Sequence, residues 1–117
     1  MIRFLCPALL ALALITPVWA DGELAGTWRN TLQEFGTSYW ELTPKKDGTY
    51  EAQEVGLGNR HGVARFKDGI LTIEFMADDI KGVYEWSLKG PAGEGTYTET
   101  KDGDVLKLKT SVRFIGK

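Results

Sequence analysis

Turn signals punctuate this chain about every 9–13 residues, a rhythm that leaves room for short strands and little else. They are Glu34-Phe35-Gly36, Lys46-Asp47-Gly48, Gly56-Leu57-Gly58-Asn59, Lys67-Asp68-Gly69, Ala77-Asp78-Asp79, Gly90-Pro91-Ala92-Gly93 and Lys101-Asp102-Gly103-Asp104. Asp-Gly pairs suit tight hairpins because glycine takes positive φ at no steric cost. Between the turns, apolar and polar side chains alternate, and no stretch sustains helical spacing.

Following alternate residues gives one consistent inner face over eight segments. It holds Trp28, Asn30 and Leu32; Ser38, Trp40 and Leu42; Tyr50, Ala52 and Glu54; Gly62, Ala64 and Phe66. The later segments add Leu71, Ile73 and Phe75; Tyr84, Trp86 and Leu88; Gly95, Tyr97 and Glu99; then Leu106, Leu108, Thr110, Val112 and Phe114. The opposite face carries Arg29, Glu41, Glu51, Arg65, Glu74, Glu85, Lys107 and Lys109. A one-residue slip would invert every side chain, so the agreement of all the segments fixes the register. Beyond residue 20, only Phe35 and Tyr39 among the aromatics fall off the inner face. One continuous apolar lining is what a sheet closed on itself needs. The pattern predicts an all-β fold, a small eight-stranded antiparallel up-and-down barrel, in preference to a two-sheet sandwich. Closure also removes the free edges that invite aggregation.

The first residues read as an export signal. Arg3 precedes the apolar run Phe4 to Ile15, and Thr16-Pro17-Val18-Trp19-Ala20 ends it with small residues at Val18 and Ala20. That is the layout of a signal peptide over residues 1–20, cleaved after Ala20, leaving one domain over residues 21–117. The apolar run is too short for a membrane span, which needs about 20 residues, and Pro7 and Pro17 interrupt it. No membrane association is expected after cleavage. Cys6, the single cysteine, leaves with the signal, so the exported domain has no disulfide. A small exported domain without a disulfide is unusual in animal secretions and fits a bacterial periplasm better, and the expected location is periplasmic or secreted. The formal net charge of −2, with no basic patch in the sequence, argues against a nucleic-acid binder.

Leu24-Ala25-Gly26-Thr27-Trp28 opens the first segment, and its Gly-x-Trp resembles the signature of the lipocalins and the wider calycin group. In those barrels the tryptophan closes the floor and an arginine late in the last strand packs across it. The resemblance therefore implies a lipocalin-like, calycin-like β-barrel with Arg113 lying on Trp28. An arginine over an indole face contributes roughly 0.5–2 kcal/mol, depending on desolvation. Gly26-Thr27-Trp28-Arg29-Asn30-Thr31-Leu32 is also similar to the opening of the avidins, which implies a biotin-contacting role for Asn30. The late tryptophan and C-terminal aspartate that avidins add have no counterpart here, so biotin is not carried over.

Chemistry is sparse. His61 is the one histidine, expected in an exposed loop, and zinc needs three or four ligands. Asp78-Asp79 and Lys101-Asp102-Gly103-Asp104 lack the spaced oxygen ligands of a calcium loop. No metal or cofactor is expected, and no triad of nucleophile, base and orienting group appears, so the chain does not read as an enzyme. The informative residues are the polar ones on the aromatic face: Asn30, Ser38, Glu54, Glu99 and Thr110. Left unpaired in a core, each would cost on the order of 1–3 kcal/mol. Glu54 and Glu99 lie near segment ends, where solvent would wet them, whereas Asn30 sits beside Trp28 and suggests a pocket. The expected function is non-catalytic binding of a small, partly apolar ligand at one end, with Trp28, Asn30, Trp40, Tyr50, Trp86 and Tyr97 as lining. The alternative is a protein-interaction module, such as an inhibitor of an exported enzyme, with a filled barrel and binding through Phe35, Tyr39, Leu57 and His61.

Overall fold

The structure is a computed structural model, and it describes residues 24–117. The signal segment expected over residues 1–20, with its cleavage point, lies outside the described residues. Eight strands follow one another: β1 Gly26–Leu32, β2 Gly36–Pro44, β3 Tyr50–Val55, β4 His61–Lys67, β5 Ile70–Ala77, β6 Ile80–Lys89, β7 Ala92–Lys101 and β8 Asp104–Gly116. Each pairs antiparallel with its successor, and β8 returns to pair with β1, so the sheet closes into a barrel. The expected turns are the hairpin connections, and Asp68, Asp78 and Asp102 take positive φ in them.

The alternating pattern becomes an inside and an outside. Trp28, Trp40, Trp86, Tyr84, Leu71, Ile73, Ala52 and Ala64 are fully buried, while Arg29, Glu41, Glu51, Arg65, Glu74, Glu85, Lys107 and Lys109 are exposed. Leu106 departs from the expected inner set: near the start of β8 it is 41% exposed, because the β7–β8 hairpin runs past the end of the packed interior. His61, expected in a loop, begins β4 and remains exposed.

Glycines let neighbouring strands crowd the small interior. A Cβ on Gly95 would sit 1.7 Å from the Glu85 carbonyl oxygen, and one on Gly82 would sit 2.1 Å from the Phe75 ring. These positions have no room for any side chain, which is how a barrel of this size holds so many rings.

The two ends of the barrel differ. At the end where β1 begins, the Trp28 indole N–H donates to the Leu24 carbonyl at 3.0 Å, and the Phe114 ring lies 5.1 Å from the Trp28 ring. Arg113 does not take the place that the calycin resemblance gave it. In the β1–β8 register Trp28 faces Phe114, so Arg113 has the opposite parity and points outward, across from Arg29. Phe114 covers the floor tryptophan instead. The opposite end is the mouth, framed by the β1–β2, β3–β4, β5–β6 and β7–β8 connections.

Candidate functional site

Beneath the mouth the interior is a stack of aromatic rings. Trp28 lies 6.2 Å from Trp86, Trp86 5.8 Å from Tyr84, and Tyr84 5.6 Å from Trp40 and 4.5 Å from Tyr97. Phe75 stacks on Tyr97 at 6.1 Å with an interplanar angle of 8°. Beside the stack, the Asn30 amide donates to the Ser38 hydroxyl at 3.2 Å and to the Tyr84 hydroxyl at 3.4 Å. Asn30 and Ser38 are held together because they are directly opposed in the β1–β2 register. Burial of Tyr84, reinforced by the negative charge of Glu54, pushes its phenol pKa up to about 12.

Glu54 is not wetted, as its position near the end of β3 had suggested. It is fully buried, and Arg60 folds back from the β3–β4 loop to meet it. The guanidinium forms a two-pronged pair: Nε donates to Oε1 at 2.7 Å and Nη2 donates to Oε2 at 3.0 Å. An isolated buried carboxylate costs several kcal/mol in lost hydration, and this geometry is the kind that offsets it. The same guanidinium lies over the Phe75 ring at 4.6 Å, adding a cation–π contact. Burial opposes its charge, but the hydrogen bonds and charge of Glu54 outweigh that and raise its pKa further.

Arg60 extends the cluster to the mouth. Its Nη1 donates to the Tyr97 hydroxyl at 3.4 Å, and that hydroxyl donates to Glu99 Oε1 at 2.7 Å. Burial and the bond to Glu99 raise the Tyr97 pKa, which keeps the phenol neutral. Above this floor lies a cavity of about 250 Å³, lined by Leu32, Phe35, Leu57, Arg60, Tyr97, Glu99, Leu106 and Leu108 among others. A larger groove of about 600 Å³ runs along the outer wall by Arg29, Lys89, Glu94 and Arg113, but the buried polar cluster does not open onto it. The buried polar cluster opens onto the cavity at the mouth through Arg60 and Tyr97.

Of the six expected lining residues, only Tyr97 reaches this cavity. Trp28 forms the floor at the far end, Trp40, Trp86 and Asn30 are fully buried in the stack, and Tyr50 is buried on β3 opposite Ala64. The structure brings Asn30, Trp40 and Trp86 together around Tyr84 as packing rather than as cavity wall. Arg60 and Glu99 are the mouth residues that the lining set lacks. The signal for Arg60 was present: Glu54 points inward, and the nearest basic residue along the chain is Arg60, across the Gly56-Leu57-Gly58 loop. Among the described residues, no group of three or more His, Cys, Asp or Glu side chains is arranged to hold a metal ion.

Comparison with known proteins returns no matching family model, no matching curated protein and no matching solved structure.

Proposed function

We propose that this chain is a calycin-like exported binding protein that holds a small, partly apolar molecule at the mouth of its barrel and catalyses no reaction on it. The observation that carries this reading is the mouth cavity itself: leucine and phenylalanine walls over a floor of fixed polar groups. Apolar area supplies affinity in such a site, and the few polar groups fix orientation. The neutral Tyr97 phenol is a hydrogen-bonding group there, poorly suited to act as a nucleophile or base. Export rests on the layout of residues 1–20.

A second reading, a protein-interaction module, draws support from the exposed apolar residues at the same end. Phe35 is 56% exposed and Leu57 40%, and aromatic side chains near a loop make natural anchors. Titrating 1-hexanol into ¹⁵N-labelled protein separates the two. Saturable amide shifts confined to residues 32–35, 57–60, 97–99 and 106–108 are expected from a ligand cavity. Their absence up to the solubility limit of hexanol overturns the cavity reading and leaves the interaction module.

A further inference from the structure

We propose that the ligand of the mouth carries an ammonium group on a short apolar tail, with Glu99 as its counter-ion; this rests on the mouth being the binding site. The charges decide it. Arg60 and Glu54 neutralise one another through both prongs of their pair, so the guanidinium at the floor has its counter-charge directly behind it. Tyr97 spends its one hydroxyl proton on Glu99 Oε1. Among the described residues, Glu99 Oε2 has no hydrogen-bond partner, and no lysine or arginine nitrogen lies within 4.0 Å of either oxygen.

Arg60 reaches Glu99 only through the Tyr97 hydroxyl. The cavity thus holds one carboxylate with no ion-pair partner within 4.0 Å among the described residues, half-buried and oriented by a neutral phenol. On the cavity side, Leu32, Phe35, Leu57, Leu106 and Leu108 surround it with hydrocarbon, and on the hairpin side that Glu99 also lines, Lys101 is outnumbered by Asp102 and Asp104. A carboxylate in such surroundings favours a hydrogen-bonding cation and repels an anion. Size adds a limit. About 250 Å³ accommodates roughly eight non-hydrogen atoms at the ~30 Å³ that a water-sized group occupies. A linear alkylamine of six carbons fits.

The test compares three ligands with one tail: hexylammonium, 1-hexanol and hexanoate, each followed by amide shifts at the mouth at neutral pH. Hexylammonium is expected to saturate at about tenfold lower concentration than hexanol, with hexanoate weakest. Glu99→Gln keeps an acceptor for Tyr97 and removes the charge. It is expected to bring hexylammonium level with hexanol. Added NaCl should narrow the preference in the wild-type protein, which checks the same charge without a substitution. Equal binding of hexylammonium and hexanol, or a preference that survives in Glu99→Gln, overturns the ammonium assignment and leaves binding at the mouth standing. No saturable shift at the mouth with any of the three overturns both.

Discussion

Arg60 and Glu54 stand six positions apart, yet the loop between them turns so that the arginine enters the barrel and the carboxylate receives it at 2.7 Å. Glu54 has no exposed surface and Arg60 keeps 18%, so the pair closes the aromatic stack from above and floors the cavity from below. The two charges must be changed together or not at all.

Arg60→Ala strands a buried carboxylate. A loss of about 3 kcal/mol is expected in urea unfolding, near the lower end of the range for a broken buried pair because Arg60 is partly wetted. The double variant Glu54→Leu/Arg60→Met removes both charges and should recover most of that loss. Equal damage from the single and double variants would show that the ion pair is not what the single substitution breaks.

Tyr84 makes stability depend on alkaline pH. Its folded pKa of about 12 lies above the ordinary phenol value near 10. The folded state therefore binds that proton more tightly than the unfolded chain does. The associated stability is complete below pH 10 and is lost as the pH rises from about 10 through about 12. Urea midpoints measured across that window should fall more steeply for the wild-type protein than for Tyr84→Phe, which has no phenol to ionise.

Phe114, rather than Arg113, is the structural residue at the floor. Phe114→Ala opens space beside Trp28 and is expected to cost about 2–3 kcal/mol, less than the ~3–5 kcal/mol of a fully buried phenyl because Phe114 is only partly buried. Arg113→Ala should stay within about 0.5 kcal/mol, as exposed positions generally do. Thermal unfolding of the two variants side by side checks the contrast, and a reversed order would restore the arginine to the floor.

Gly95→Ala places a methyl group into the backbone of β6. With 1.7 Å to the Glu85 carbonyl oxygen, the strands must separate, and a loss of at least about 3 kcal/mol or failure to accumulate as folded protein is expected. Gly103→Ala meets no atom within 4 Å and bears only the strain of its positive φ, so it should be the milder variant. Circular dichroism melts of both decide this.

Alternation and turn spacing made the strands, the register and the closure legible, because side-chain parity is a local property of the chain. Parity also contained the correction at the floor: Phe114 was already on the inner face, and Arg113, its neighbour, had to be outside. Height along the barrel axis is not local. Trp28 and Tyr97 share a face in the sequence pattern but lie toward opposite ends of the molecule, so a lining chosen by face alone gathered core residues with one cavity residue. Arg60 escaped because it belongs to a loop without periodicity. Its role comes from the charge of Glu54, whose need for a partner is met by the nearest basic residue along the chain rather than by any residue of the alternating pattern.

The β1–β8 pairing has a kinetic consequence. Every other pairing joins strands adjacent along the chain, whereas this one brings Arg29 beside Arg113. Hairpins fold by zipping outward from their own turns, but this junction forms only when the chain's distant parts meet, and it bears the largest loop-closure entropy. Native-state hydrogen exchange should find its amides releasing first, the zip that fastens last and slips soonest.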